Sequence, residues 1–422
     1  MIRILTAAEA KGLRASAAMP EGVAAAVERI VDDVRARGDA AVLELTEKFD
    51  GARLTSLFLD PGRWDELAAA CPVEVRQALE QACERVRSFH APQLPRAYEQ
   101  RLEAGGTLRC LVLPLERAAC YVPGGRAAYP STVVMTVPLA KLAGVREVIV
   151  ATPPRRDGSI PPEVACAARI AGADRILLAG GAQAIAALAL GTATVPRADV
   201  VVGPGNAYVT EAKRQLAGSA VRIDALAGPT EVAIVADGSA DPLQVAVDLI
   251  AQAEHDPLAL PLLITADRGL VERTAAALER ELRDHPNPVA LESLRRQGAA
   301  VVTRDLDEAL AFANELAPEH LELLCADAAR HLGRVPRAAA VFVGPFAPVP
   351  VGDYFAGPNH TLPTGGTARF ASPLGVWDFV RRQNVIEYGK DQLARDADAI
   401  TTLARAEGLH GHARAIDVRR RR

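Results

Sequence analysis

The sequence predicts an α/β fold in which helices pack on two doubly wound parallel sheets. Half of the 422 residues are hydrophobic whereas only 4% are aromatic. Small aliphatic side chains must therefore fill the core, as they do where helices lie on parallel strands. Beyond residue 115, short β-branched runs alternate with Ala-rich helical stretches, which is the pattern of parallel sheets with right-handed crossovers. A chain of this length can fill two or more domain cores.

The individual elements follow from hydrophobic periodicity along the chain. Apolar residues recur at helical spacing over residues 17–49 and 63–89, which predicts a helical N-terminal layer. The predicted strands are residues 147–151, 175–179, 200–202, 232–235, 262–265, 300–303 and 340–343, with helices such as 162–170 and 184–190 between them. Residues 352–370 hold four glycines and two prolines, so we predict neither helix nor strand there. From residue 376 to the C-terminus the pattern predicts helix again.

Composition excludes several classes of partner. The net charge of −4 argues against a nucleic-acid or anionic-membrane surface. Charged residues interrupt every apolar run near the N-terminus, so we predict no signal peptide, no membrane span and a cytoplasmic protein. The six cysteines lack CxxC spacing, which favours reduced, mostly buried thiols over a zinc ribbon or disulfides.

Three glycine-bearing turns follow predicted strands, at residues 121–125, 180–183 and 203–206. Bare backbone amides at strand ends can bind phosphate, so the cluster of turns favours nucleotide binding. None of the turns has GxGxxG spacing, and any one of them alone is more often a tight turn than a phosphate site.

A further helix is predicted between Asp241–Pro242, an N-cap followed by proline, and Asp256–Pro257. Its predicted apolar face consists of Leu243, Ala246, Val247 and Ile250. The opposite polar stripe consists of Asp248, Gln252 and His255. The carbonyl end of a helix attracts cations, so Gln252 and His255 could share one. The alternative is an exposed polar stripe.

Glu319 and His320 place a carboxylate, which can activate water, beside an imidazole suited to acid/base chemistry. Adjacent side chains point in different directions unless the backbone turns sharply, and a surface turn is the alternative. The broken segment 352–370, which can approach a ligand closely, carries Asp353, Asn359, His360 and Arg369. The terminal helix carries Glu407, His410 and His412, and it either reaches a neighbouring subunit or lies on the surface.

Eight separated segments resemble the histidinol dehydrogenase family, and they occur in the same order. They are YVPGG (121–125), GGAQAIAAL (180–188), GPGNAYVTEAKRQ (203–215), AGPTEV (227–232), QAEHDP (252–257), APEHLEL (317–323), GDYFAGPNHTLPTGGTARF (352–370) and AEGLHGHARA (406–415). The resemblance covers nearly the whole chain. It implies two incomplete Rossmann-like domains with small N- and C-terminal helical segments in an intertwined homodimer.

The resemblance also implies domain boundaries. Residues 1–19 would be an N-terminal helical segment, and residues 20–120 with 232–373 a first Rossmann-like domain that carries the metal and catalytic residues. Residues 121–231 would be a second Rossmann-like domain that contacts NAD. Residues 374–422 would be a helical segment that reaches the partner subunit.

One Zn²⁺ per subunit, NAD and the substrate L-histidinol are implied in the same way. The implied zinc ligands are Gln252, His255, Asp353 and, from the partner subunit, His412. The implied substrate contacts are Thr230, Gln252, His255, His320, Asp353, His360, Glu407 and His412. The implied NAD contacts are Tyr121, Gln183 and Asn206. Glutamine is an uncommon zinc ligand, and this set is more oxygen-rich than closed structural zinc sites.

The implied reaction is the zinc-dependent four-electron oxidation of L-histidinol through L-histidinaldehyde to L-histidine with two NAD⁺, the last steps of histidine biosynthesis. His320 would take the alcohol proton, and Glu319 would activate the water that attacks the aldehyde. Two departures from the family pattern are Thr230, where serine is common, and His410, which precedes His412 and could compete as a ligand. We expect His412 to bind the metal and His410 to be exposed.

Other interpretations remain open. A zinc-dependent hydrolase would use the same metal set, with Glu319 activating water, and would need no NAD. A non-catalytic metal-dependent binding protein would need neither Glu319 nor His320. Within the dehydrogenase interpretation, Cys120 could form a thiohemiacetal with the aldehyde, although nothing around it in the sequence indicates an activated thiol.

Overall fold

The computed structural model describes residues 2–13, 20–124 and 128–420, which form three sheets with helices packed around them. The strands are β1 (Arg3–Thr6), β2 (Tyr98–Arg101), β3 (Gly106–Pro114), β4 (Arg117–Tyr121), β5 (Glu147–Thr152), β6 (Arg175–Leu178), β7 (Val200–Val202), β8 (Arg222–Ile223), β9 (Glu231–Ala236), β10 (Leu260–Thr265), β11 (Ala299–Val302), β12 (His320–Leu324), β13 (Ala340–Val343) and β14 (Val380–Tyr388). The helices are α1 (Val23–Arg37), α2 (Asp39–Asp50), α3 (Pro61–Ala69), α4 (Val73–His90), α5 (Pro130–Leu142), α6 (Pro162–Ala171), α7 (Gly181–Leu190), α8 (Ala207–Leu216), α9 (Pro242–Ala253), α10 (Arg268–Glu281), α11 (Pro288–Arg296), α12 (Leu306–Leu316), α13 (Val349–Tyr354), α14 (Lys390–Ala406) and α15 (His410–Arg420). Short 3₁₀ turns occupy Ala91–Gln93, Ala328–Arg334, Thr367–Arg369 and Val376–Phe379.

The six-stranded sheet is parallel throughout and has the order β1-β11-β10-β9-β12-β13. Helices α9, α10 and α11 cover one face and α12 covers the other, so β9, β10 and β12 are buried along their whole length. Strands buried on both faces are apolar runs without alternation, as predicted. The polar exceptions in β9 and β12 are Glu231, His320 and Glu322, and burial obliges each of them to find a partner.

The five-stranded sheet is also parallel, with the order β6-β5-β4-β7-β8. Helices α3 to α6 contribute to the core on one face, and α1, α2, α7 and α8 to the core on the other. All seven strands predicted from the sequence are present within two residues of their predicted ends, and the helices predicted at 162–170 and 184–190 are α6 and α7. Two parallel sheets covered by helices therefore confirm the α/β prediction.

The packing differs from the predicted domain boundaries in two places. Residues 20–120 were assigned with 232–373, but α1 to α4 pack on the five-stranded sheet, because the valine stripe of α1 and the apolar face of α4 are buried in its two cores. Residues 1–19 are not purely helical, since β1 pairs in parallel with β11 at the edge of the six-stranded sheet. Residues 14–19 of that segment lie outside the described residues.

The third sheet is antiparallel, in the order β14-β3-β2, and it corrects the prediction of continuous helix after residue 376. Residues 380–388 pair along their whole length with β3, so backbone hydrogen bonds to a distant strand override the local pattern. Helix resumes in α14 and α15, as predicted for the C-terminus.

Glycine and proline divide the predicted N-terminal helices. Gly38, with a φ of 58°, separates α1 from α2, and Pro72 precedes α4. The broken segment 352–370 is more ordered than predicted, because α13 continues through Tyr354 and residues 367–369 form a 3₁₀ turn. Residues 17–19 of the first predicted helix lie outside the described residues.

Helix α9 begins as predicted, but its faces are rotated. The Asp241 side chain accepts a hydrogen bond from the Leu243 N–H, which confirms the N-cap. Leu243 and Val247 are exposed, however, whereas Gln252 is only 2% exposed. The reason is that α9 packs on the six-stranded sheet through Val245, Ala246, Leu249 and Ile250. Gln252 therefore belongs to the buried side of the helix.

All six cysteines are buried free thiols, which agrees with the prediction of reduced cysteines. None of the described helices combines the length and the apolarity that crossing a bilayer requires.

The orientation of α9 can be tested with two leucines on the same helix. Leu249→Ala should lower the free energy of unfolding by about 2–5 kcal/mol, because it opens a cavity at a fully buried position. Leu243→Ala is the matched control and should change it by less than about 1 kcal/mol, because Leu243 is exposed. Denaturant unfolding measures both values. Equal losses in the two variants would contradict this orientation.

Candidate active site

The candidate site lies where β9 and β12 begin. These strands are neighbours in the six-stranded sheet, and His320 of β12 pairs with Val232 of β9. The residues that precede each strand, Thr230 and Glu319, therefore lie side by side. Gln252 joins them because α9 runs back from the opposite end of β9 and finishes at this edge.

A chain of hydrogen bonds connects three of the predicted site residues. The Gln252 amide donates to the Thr230 hydroxyl oxygen, and the Thr230 hydroxyl donates to Glu319 Oε2 at 2.6 Å. The backbone N–H of Glu231 donates to the same carboxylate oxygen at 2.9 Å. Glu319 is thus held by two donors. The amide oxygen of Gln252 takes no part in these hydrogen bonds.

His320 is buried and its tautomer can be read from its contacts. Nδ1 lies 3.0 Å from the carbonyl oxygen of Glu231, which can only accept, so Nδ1 carries the proton. Nε2 is then an acceptor in the neutral ring. It lies 4.0 Å from Asp353 Oδ1 and has no hydrogen-bond partner among the described residues. In its neutral form, His320 therefore presents Nε2 as an unpartnered basic nitrogen within the site.

Asp353 brings the predicted loop residues to the same place. Its carbonyl oxygen accepts a hydrogen bond from His360 Nδ1 at 2.8 Å, and its carboxylate lies 3.8 Å from the same ring. His255 is exposed and is one of the electrostatic influences on His360, so it borders the same cluster. The site thus unites Gln252, His255 and Asp353 with the Glu319–His320 pair.

Burial shifts two pKa values in the site. It raises the pKa of Glu319, although His320, the Thr230 hydroxyl and the Glu231 N–H favour the ionised carboxylate. It lowers the pKa of His360, with Asp353 acting in the opposite direction. A raised pKa makes Glu319 a stronger base once it is ionised, which suits proton abstraction from water.

Some residues of the site have the chemistry that a divalent metal ion requires. The amide oxygen of Gln252 is buried without a hydrogen-bond partner in the described part of the chain, and the nitrogen of the same amide is bound to Thr230 beside Glu319. An orphaned buried acceptor beside an imidazole and a carboxylate suits a cation. Within residues 2–13, 20–124 and 128–420, no three His, Cys, Asp or Glu side chains converge as a complete metal set. The donor types therefore suit a divalent cation, but the described residues do not form a full ligand set by themselves.

Glu407 and His412 are not brought to this cluster within the chain. Both are exposed, Glu407 at the end of α14 and His412 in α15. His410 is exposed too, as expected. Asn359 is buried and donates to the Met135 carbonyl oxygen, which gives it a structural role.

The predicted NAD contacts lie at the carboxyl ends of the five-stranded sheet. The Tyr121 hydroxyl accepts a hydrogen bond from the Gly181 N–H at 3.0 Å, and burial raises the pKa of this phenol to about 12. Gln183 is buried in the first turn of α7. Asn206 is exposed and caps α8 by accepting from two backbone N–H groups. Gly125 of the first turn lies outside the described residues.

Sequence reasoning missed the ion pair that holds the third glycine turn. Lys213 and Asp224 form a buried salt bridge at 2.7 Å. Lys213 donates to the Gly203 carbonyl oxygen, and Asp224 accepts from the Gly203 N–H. At Gly203 φ is 111°, and a Cβ there would lie 2.1 Å from the Tyr121 carbonyl oxygen. The scarcity of lysine in the chain was the one signal that could have drawn attention to Lys213.

Glu231 was also missed. Its Oε1 accepts from the Glu319 N–H at 3.2 Å and from the Gly365 N–H at 2.9 Å, so it joins β9 to the segment after Asp353. A single carboxylate in an otherwise apolar strand was the signal.

Cys120, by contrast, is fully buried in the core, and burial raises the pKa of its thiol to about 12. A protonated core thiol does not suit attack on an aldehyde.

Comparisons with known proteins agree on one family. The family model described as histidinol dehydrogenase matches residues 13–420. The histidinol dehydrogenase of Halalkalibacterium halodurans is 46% identical over 93% of this chain and 93% of its own length. That of Synechococcus sp. is 47% identical over 94% of this chain and 92% of its own length.

A solved structure supports the same relationship. The crystal structure of histidinol dehydrogenase from Elizabethkingia anophelis superposes with a TM-score of 0.91 at 33% identity, covering 99% of this chain and 98% of that one. The chain therefore belongs to the histidinol dehydrogenase family.

Proposed function

We propose that this protein oxidises L-histidinol through L-histidinaldehyde to L-histidine with two NAD⁺, at the end of histidine biosynthesis in the cytoplasm. The observation that carries the proposal is the pairing of a free basic nitrogen on His320 with a buried, hydrogen-bonded Glu319 carboxylate beside it. Two successive oxidations at one carbon need two different bases, one for an alcohol and one for water. Family membership supplies the substrate class.

In the first half-reaction, His320 Nε2 takes the hydroxyl proton of the alcohol while a hydride passes from the same carbon to the nicotinamide. The products are the aldehyde and NADH. The Glu231 carbonyl oxygen accepts from Nδ1–H, so it favours both the neutral tautomer that can act as a base and the imidazolium that results.

In the second half-reaction, Glu319 takes a proton from the water that adds to the aldehyde carbon. The resulting hydrate anion passes a second hydride to a second NAD⁺, and the carboxylic acid so formed loses its proton to a base, which leaves the carboxylate of histidine. The Thr230 hydroxyl and the Glu231 N–H hold Glu319 Oε2 in place for this step. Fixing the base against its target supplies part of the rate enhancement.

Zn²⁺ would be held by Gln252, His255, Asp353 and the partner subunit's His412. When bound, it supplies a fixed positive charge that orients the nitrogen donors of histidinol. Support comes from the orphaned Gln252 oxygen and from the exposure of His412, which leaves that ring available to a second chain. A homodimer in which each site borrows His412 and Glu407 would complete both metal and substrate contacts.

The remaining contacts follow from the same proposal. Thr230 and His360 would contact histidinol together with the metal ligands. NAD would bind beside Tyr121, Gln183 and Asn206, where three glycine turns meet the ends of parallel strands. The buried Lys213–Asp224 pair would keep the turn before Asn206 in its binding conformation.

Replacing the proposed water-activating base should separate the two oxidations. Glu319→Gln keeps the shape of the side chain but removes the base, so aldehyde oxidation should fall about 10²–10⁴-fold while alcohol oxidation falls far less. Single-turnover NADH formation from histidinol and from histidinaldehyde measures the two steps. The exposed Glu315→Gln is the matched control and should change neither. Equal losses in both steps would contradict this division of roles.

The wild-type pH profile offers a further check on the same residue. Because burial raises the pKa of Glu319, the carboxylate forms at a higher pH than in an exposed glutamate. The aldehyde step should therefore lose rate on the acid side at a pH above the ordinary glutamate range. A profile that follows an ordinary glutamate would contradict the role of burial.

Subunit mixing tests whether His412 acts across the interface. His255→Asn and His412→Asn should each be nearly inactive alone. Random reassembly of the two variants should restore about a quarter of wild-type activity, since half of the dimers are mixed and each mixed dimer has one intact site. His410→Asn is the control and should be active without mixing. No recovery from reassembled dimers would show that His412 does not serve the partner's site.

A further inference from the structure

Glu322 is a buried carboxyl group that the proposed reaction does not use. It lies two residues after His320 on β12, and side chains alternate along a strand, so both point to the same face of the sheet. Leu321 and Leu323 occupy the core on the opposite face. Glu322 has no measurable solvent exposure, and its neighbours on the flanking strands are Ile234 and Phe342. An acid in such surroundings requires specific partners.

One oxygen of Glu322 holds the start of α13. Oε1 accepts a hydrogen bond from the Val349 N–H at 2.9 Å, and Val349 is the first residue of that helix. The first N–H groups of a helix have no partner within it, so an acceptor at this point fixes where the helix begins. Asp353 lies in the next turn of the same helix. The Glu322 contact therefore sets the place from which Asp353 is presented.

The other acid beside Glu322 is Asp248 of α9. The two carboxyl groups are placed to share a hydrogen bond, and no other donor from the described residues reaches Glu322 Oε2. Two carboxylates cannot form such a bond, because one of them must supply a proton. Burial, followed by the charge of Asp248, raises the pKa of Glu322 to about 8, and burial raises the pKa of Asp248 to about 6. At neutral pH the pair therefore keeps one proton.

The pair joins the three elements that carry the proposed chemistry. Asp248 is one helical turn before Gln252 on α9, Val349 is one turn before Asp353 on α13, and Glu322 shares a strand face with His320. The surrounding elements carry the following titratable groups: Glu231 on β9, Asp248 on α9, His320 on β12, and Asp353 and Tyr354 on α13. Neither carboxyl of the pair has a cationic partner in the described part of the chain, so the shared proton is what relieves their repulsion.

We propose that Glu322, which holds the Val349 N–H at the start of α13 and lies beside Asp248 of α9, is a positioning residue that sets the spacing of Gln252 and Asp353 and thereby the affinity of the site for a divalent metal. This inference rests on the proposed metal site and adds a part that touches neither metal nor substrate. Loss of the shared proton at alkaline pH would leave two like charges in contact in a buried place. Helices α9 and α13 would then separate, and metal affinity would fall.

Zinc affinity measured against a chromophoric chelator tests the inference without turnover. Glu322→Leu removes the acceptor for the Val349 N–H and should weaken zinc binding about 10- to 100-fold at pH 7. Glu322→Gln keeps an acceptor for Val349 and a donor for Asp248, so it should bind zinc about as well as the wild type. Between pH 7 and pH 9.5 the wild type should lose about tenfold more affinity than Glu322→Gln, because only the wild type gains the second charge.

Asp248→Asn is the second test and covers the case in which Glu322→Leu fails to fold. It also removes the like-charge contact, so it should abolish the alkaline loss of affinity. The exposed Glu315→Gln is the charge-matched control and should follow the wild type.

Thermal unfolding of the metal-free proteins gives an independent readout. Because the pKa of Glu322 is raised in the folded protein, protonated Glu322 contributes to the free energy of unfolding. This contribution is fully present below the ordinary glutamate pKa and is lost as pH rises towards 8.

The outcomes separate this inference from the proposed function. A wild-type protein that binds no zinc at any pH would overturn the proposed metal site and this positioning role together. If the wild type binds zinc, but its zinc affinity and that of Glu322→Gln change with pH to the same extent, the positioning role alone would be overturned. Equal zinc affinities of Glu322→Leu and Glu322→Gln at pH 7 would do the same.

Discussion

The hydrogen bond from the Thr230 hydroxyl to Glu319 is the contact on which the rest of the site depends. Thr230 accepts from the Gln252 amide and donates to the carboxylate, so one hydroxyl fixes both groups. It thereby engages the Gln252 nitrogen, so that the Gln252 oxygen has no partner among the described residues, and it holds Glu319 beside His320. A hydroxyl suits this place because one small group can accept and donate at once. Serine would serve as well, whereas valine would leave the buried Gln252 amide without its acceptor and Glu319 Oε2 with the Glu231 N–H as its remaining donor.

Burial is the second constraint, and it gives similar groups different roles. Glu319 is buried with two donors and a neighbouring imidazole, so it can ionise and act as a base. Glu322 is buried with another carboxyl group, so it keeps a proton and holds structure. Desolvation acts on both in the same direction, and the partners decide the outcome. Two carboxyls three residues apart therefore suit the two roles proposed for them, catalysis and positioning.

The parallel strands could be predicted because aliphatic, β-branched runs between Ala-rich helices have few alternatives. The convergence of Glu319 and His320 could not, since it depends on the backbone at Ala317, which adopts a φ of 51° just before the strand. Strand β14 was missed because its pairing with β3 joins residues far apart in sequence. The Asp248–Glu322 pair was missed for the same reason: periodicity places each acid on a face but does not say which faces meet. Family resemblance, and not spacing, indicated His412.

The central claim is that one site carries out both oxidations. Counting the NADH formed per L-histidinol by the purified protein, before and after metal removal by a chelator and restoration with Zn²⁺, tests it most directly. The account predicts two NADH per L-histidinol, loss of turnover on chelation and recovery with zinc. One NADH per L-histidinol would mean that the reaction stops at the aldehyde and would contradict the role given to Glu319. No NADH from a folded, zinc-replete dimer would contradict the dehydrogenase assignment itself.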